Sequence, residues 1–159
     1  MLIKKVRKKT AEPFVFLHGK KTAAYGKIPD TGRKIMDSLN RFIGKRKAAI
    51  TGPVVWSYES APKARLTLRA GIQVKKGTRG KAPFSAKTEA EWECLSAEYT
   101  GSMEHITEAW SELFAVAEKK GLGCENARRE IYRKWIAFYS KDNLTELQIK
   151  LSGDGKKRG

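Results

Sequence analysis

Residues 92–121 read WECLSAEYTGSMEHITEAWSELFAVAEKKG, and this stretch decides the fold. Trp92 to Tyr99 has the composition and patterning of a strand. Gly101-Ser102 then breaks the chain and opens a helix on which Met103, Ile106, Trp110, Leu113 and Ala117 fall on one face. Glu104 stands in the first turn and Lys119 and Lys120 in the last, so both ends complement the helix dipole, and Gly121 supplies a stop. A strand running straight into an amphipathic helix is a building unit of α+β folds.

The chain on either side extends this unit. Residues 130–139 predict a strand, and Leu147, Ile149 and Leu151 alternating with Gln148 and Lys150 predict another, joined by a turn through Asp142 and Asn143. Toward the N-terminus the same order recurs. Phe14 to Phe16 reads as a strand, and a helix capped at Asp30 or Thr31 carries Ile35, Leu39, Phe42 and Ile43 before ending at Gly44 and Lys45-Arg46-Lys47. After a break at Thr51-Gly52-Pro53 come Val54, Trp56 and Tyr58, then a strand in which Leu66, Leu68, Ala70, Ile72 and Val74 alternate with Arg65, Thr67, Arg69, Gly71 and Gln73. Residues 76–90 show no apolar period and read as a mobile loop between the halves. The expectation is an α+β protein built on a duplicated strand-helix-strand-strand module. It has an antiparallel sheet, two helices on one face and a ligand cleft on the other. Its domain runs from 13 to 152, between a basic N-terminal segment at 1–12 and a basic tail at 153–159.

With 159 residues the chain can bury a core as one domain without staples. No apolar run is long enough to span a membrane and no secretory leader opens the chain, which reads as cytoplasmic. Cys94 and Cys124 have neither metal-ligand nor redox-pair spacing, so neither a metal nor another cofactor is implied. The net charge of +16 is unevenly distributed: residues 1–90 hold 22 Lys and Arg against 5 acids, residues 91–159 hold 11 against 12. Such an excess fits either a solvated surface or contact with a polyanion.

The segment from Ala97 to Leu113 followed by Gly121-Leu122 resembles the strand-to-helix signature of the GyrI-like effector-binding family. Glu130-Ile131-Tyr132 and Leu144 to Leu151 resemble that family's last two strands, and Gly52 to Tyr58 its mid-chain segment. The resemblance covers about residues 13 to 151 and implies the duplicated fold. It also implies one of three roles, those of a ligand-sensing domain of multidrug-responsive regulators, a small free-standing protein such as a gyrase inhibitor, or a hydrolase of strained cyclopropane compounds. About a dozen residues precede Phe14, so a free-standing protein is expected, with any DNA-binding regulator a separate chain. Where many relatives carry an aromatic residue shortly after the motif's glycine, this chain has Ser102 and Met103, a departure that bears on ligand shape.

Glu130 matches the family's acidic pocket position. On a strand Glu130 and Tyr132 share a face, setting a carboxylate beside a phenol, and aromatic walls around them would attract a lipophilic cation by charge and ring quadrupole. The competing reading is a surface ion pair, because Arg128, Arg129, Arg133 and Lys134 crowd the same segment. Trp110 lies on the helix stripe, where core and pocket lining are both open. Tyr58, Trp92 and Tyr99 are further strand aromatics suited to stacking or to packing, and Trp135 falls on the face opposite Glu130. The expected function is binding of an amphipathic or aromatic organic ligand, for sensing or sequestration. In the hydrolase alternative Glu130 acts as general acid/base on a water that Tyr132 orients. In a third reading the basic first half, through Arg65, Arg69 and Lys45 to Lys47, contacts DNA or a DNA-associated protein such as gyrase. A homodimer is left open.

Overall fold

A computed structural model describes residues 1–153, so all of the basic tail except Gly153 lies outside the described residues. The chain divides into two compact units, one of residues 12–91 and one of residues 1–11 together with the chain from Trp92 onward. Each unit has one long helix and four antiparallel strands, the α+β architecture expected. Among the described residues no helix is long and apolar enough to cross a membrane.

The opening basic residues form strand β1 (Ile3–Ala11). Ile3, 5% exposed, and Val6 turn into a core while most of the interleaved cations face outward. A bulge between Lys4 and Arg7, with Lys5 at φ 52°, breaks the period of two that would otherwise mark a strand.

In the unit of residues 12–91, β2 (Phe14–Ala24) leads to α1 (Ile28–Arg46), β3 (Ile50–Ala61), β4 (Arg65–Val74) and β5 (Ser85–Glu89), in sheet order β3-β4-β2-β5. Helix α1 starts two residues before the expected cap, with Pro29 in its first turn, where proline's fixed φ and missing N–H do no harm. Asp30 stands in that turn and pairs with Arg33 at 2.7 Å and Lys34 at 3.1 Å. Leu39 and Ile43 are buried against Leu17, Ile72 and Val74. Gly32 leaves the space that the indole of Trp56 occupies, so a larger residue there would collide with the ring. The break at Thr51-Gly52-Pro53 lies within β3, absorbed by a register shift between Ile50 and Val54. Residues 76–90 are not a free loop. Ser85 to Glu89 pair with β2, and Phe84 is buried among Leu17, Leu39 and Ile43.

In the other unit β1 pairs with β6 (Trp92–Thr100), followed by α2 (Ile106–Lys119), β7 (Cys124–Lys134) and β8 (Leu144–Leu151), in order β1-β6-β8-β7. A 3-10 turn at Met103–His105 precedes α2, and Ser102 caps it by accepting from the Glu104 N–H at 3.1 Å. Gly121, at φ 65°, lets the chain leave α2 through the left-handed region. Leu95, Ala97, Tyr99, Leu147 and Ile149 pack against Ala109, Trp110, Leu113 and Ala117, fixing which face of the sheet carries the helix. Strand β7 begins and ends earlier than the expected 130–139. The backbone beyond it is tied instead by Asn143, whose Oδ1 accepts from the Ile136 N–H at 2.8 Å and whose Nδ2 donates to the Ala137 carbonyl at 2.7 Å.

Candidate functional site

Leu147 faces α2 from β8, and Glu130 is its cross-strand partner on β7, so Glu130 also points toward the helix. Period two carries Tyr132 to the same face, and α2 brings Trp110 down onto both. Tyr132 Oη donates to Glu130 Oε1 at 2.6 Å and Trp110 Nε1 donates to Oε2 at 2.7 Å. Glu130 is 4% exposed, and Trp110 and Tyr132 are each 9% exposed. A carboxylate so enclosed is not a surface ion pair. Two of the arginines near it in sequence serve the opposite face, Arg133 binding Glu146 at 2.7 Å and Arg129 binding Gln148 at 2.7 Å.

Rings continue the array on both sides. Phe114, one turn along α2 from Trp110, has its ring centroid 5.9 Å away, and Trp135 meets Tyr132 edge-on at 5.5 Å. The expected placement of Trp135 opposite Glu130 fails because a register shift between Tyr132 and Lys134 ends the alternation before it arrives. Phe114, Trp110, Glu130, Tyr132 and Trp135 thus form one row with a carboxylate at its middle and half-exposed rings at its ends, 40% for Phe114 and 51% for Trp135. Beyond Phe114 a concavity of about 670 Å³ runs past Glu118, Leu122, Cys124 and Ser152. The guanidinium of Arg128 lies 5.8 Å from the Phe114 ring centroid, so the exposed end already attracts a cation.

This row lies on the face of its sheet that carries α2, whereas the sequence reading sets the cleft on the opposite face. Of the remaining aromatic candidates, the two in this unit are not brought to it. Tyr99 is core, 2% exposed, and donates to the Ser102 carbonyl at 2.6 Å. Trp92 belongs to the other face, packed with Ala11 and Cys94 and covered by the Arg129 guanidinium at 3.7 Å. Tyr58 is in the unit of residues 12–91, buried with Ile28, Leu68 and Ala70.

Two features escape sequence reasoning. Thr145, cross-strand to both Tyr132 and Tyr99, is fully buried with a hydroxyl that has no hydrogen-bond partner among the described residues. On the helix-free face Glu146 is 5% exposed. It receives Lys9 at 2.6 Å, Gln148 at 2.6 Å, Arg133 at 2.7 Å and Ser96 at 2.9 Å. Burial opposes its ionisation, but the bonds from Lys9, Gln148, Arg133 and Ser96 outweigh it and hold the carboxyl at about 2. The alternation of β8 marks Glu146 as opposite to Leu147 and on the same face as Gln148, yet its other three partners come from β1, β6 and β7, a convergence that only strand pairing brings about.

No protein-family model matches the chain, and no curated protein is similar to it in sequence. Its fold is nonetheless shared with solved structures. SAV2435 bound to tetraphenylphosphonium matches with a TM-score of 0.71 over 94% of this chain and 95% of that one, at 10% identity. The C-terminal domain of EcmrR matches with a TM-score of 0.73 over 96% and 99%, at 14% identity. In an EcmrR–DNA complex the TM-score is 0.81 at 14% identity, covering 99% of this chain but 59% of that one. Correspondence over nearly its whole length, joined to the helix-and-sheet architecture of its units, shows that this chain shares the α+β fold of SAV2435 and the EcmrR C-terminal domain, consistent with the GyrI-like fold.

Proposed function

We propose that the protein binds an amphipathic aromatic cation at the row centred on Glu130, to sense or sequester it. The observation that carries this reading is a buried carboxylate whose two oxygens are held by Trp110 and Tyr132 and flanked by further rings. Such a group gives a delocalised cation both a counter-charge and ring faces, and rings lose little entropy on binding. The likeness in fold to SAV2435, solved with tetraphenylphosphonium, supports the same class of ligand. The long-range field of a +16 chain works against a cation, but it is screened over roughly 8 Å at physiological salt, while a buried carboxylate acts at contact. Ring-opening hydrolysis would require Glu130 to activate a water, and both its oxygens already accept from aromatic donors, which favours binding over catalysis.

The test is titration of native protein with tetraphenylphosphonium, followed by tryptophan fluorescence and calorimetry. Saturable quenching is expected, weakened on the order of tenfold or more in Glu130→Gln, which keeps the shape but removes the charge. No change in fluorescence or melting temperature with this cation, a neutral aromatic or an aromatic anion would overturn the reading.

A further inference from the structure

The basic excess is not spread evenly over the unit of residues 12–91. Residues 38–58 hold four Lys and Arg and no acid, and residues 60–88 hold eight and no acid. The fold brings the densest parts of these two segments together. Lys45, Arg46 and Lys47 close α1. The Lys75 N–H donates to the Ala49 carbonyl at 2.9 Å, just past that helix end, and the segment carrying Lys75, Lys76 and Arg79 begins there.

The platform beneath them is ordered. Thr78 closes a turn on the Lys75 carbonyl through its N–H at 3.1 Å and its hydroxyl at 2.6 Å. Phe84, buried at the end of the same connection, packs on Phe42 of α1 with centroids 5.2 Å apart, and Arg46 lies 5.4 Å over the Phe42 ring. All six cations are exposed, and none forms an ion pair among the described residues. Of the other cations in this unit, Arg33 and Lys34 pair with Asp30, and Arg69 pairs with Glu59 at 2.6 Å. The pairing of Arg69, and the use of Arg65 Nε on the Pro62 carbonyl, remove the strand arginines from the patch that the sequence suggests.

A charged helix terminus alone needs no partner, since cations suit the negative pole of a helix. Here three more cations arrive from a separate, pinned segment with no acid in reach, which raises the local field well beyond that need. We infer that the end of α1 and the β4–β5 connection form a surface that binds the phosphate backbone of duplex nucleic acid without reading its sequence. The large apolar side chains exposed in this unit are Tyr25 and Ile50, and Ile50 alone stands beside the patch, so it lacks the wedge a bilayer interface would use. It also lacks exposed rings for stacking bases, which favours duplex over single strand.

The test is fluorescence anisotropy of a labelled duplex of arbitrary sequence with the full chain over a series of salt concentrations. About five or six phosphate contacts predict a log–log slope of roughly −5. Reversing Lys45, Lys47, Lys76 and Arg79 to Glu is expected to weaken binding more than tenfold and flatten the slope. The same number of reversals at Lys8, Lys119, Lys120 and Lys141, in the other unit, should change affinity less than threefold. Lys75→Gln, Lys76→Gln and Arg79→Gln together leave α1 untouched and should show the same loss in smaller degree, so a folding defect in the first variant does not decide the matter. Equal losses in patch and control variants, a flat salt dependence, tighter binding to single strand, or tighter binding to vesicles rich in anionic lipid would each overturn the inference. Tetraphenylphosphonium titration of the patch variant, expected unchanged, keeps this outcome separate from that at Glu130.

Discussion

Trp110 on α2 and Glu130 on β7 meet through a hydrogen bond of 2.7 Å between indole Nε1 and carboxylate Oε2, which fastens the helix to its sheet by a polar contact inside an apolar seam. Trp110→Phe keeps a ring in place but leaves that oxygen without this donor. A buried acceptor deprived of a donor costs about 1–3 kcal/mol, more when it is charged. The urea midpoint should fall accordingly, and Tyr132→Phe should act in the same direction. Unchanged midpoints in both variants would mean that the carboxylate is hydrated.

Glu146 should govern stability in acid. Its folded carboxyl is held at about 2 against an ordinary value of 4.5. Because the shift is downward, its contribution is fully present above the ordinary value and is lost as pH falls toward 2. Native protein should therefore lose on the order of a few kcal/mol between pH 5 and pH 2. Glu146→Gln should be less stable at pH 7 and show a shallower decline, read from urea midpoints across that range.

Thr145→Val should be neutral or stabilising. The hydroxyl it removes is buried without a partner among the described residues, and an unmet buried hydroxyl costs about 1–3 kcal/mol. A fall in melting temperature would show that a water or another group satisfies Thr145.

The two thiols should differ in reactivity. Cys94 is fully buried and its thiol is pushed up to about 11, burial being the chief cause, whereas Cys124 is exposed and its thiol is raised by burial and by Glu118. A disulfide exchange reagent should label one thiol in the native protein, slowly, and the second after unfolding. Mass spectrometry locates the first label, expected on Cys124.

Local order was legible in the chain itself. The stripe of Ile106, Trp110, Leu113 and Ala117, the stop at Gly121 and the alternation of Leu66 to Val74 follow from periods of 3.6 and 2 that need no partner to be recognised. The shared face of Glu130 and Tyr132 followed in the same way. Long-range pairing decided the rest. Strand β1 hid behind its lysines and a bulge, β5 behind its lack of apolar period, and Trp135 reached Tyr132 because a register shift cancelled the alternation. That α2 lowers Trp110 onto Glu130, that Lys9 crosses to Glu146, and that Lys75 stands beside the end of α1 depend on which strands lie next to one another. Sequence determines periodicity and charge residue by residue; sheet order is set by burying apolar faces contributed by the whole chain, and it alone brings such distant groups into contact.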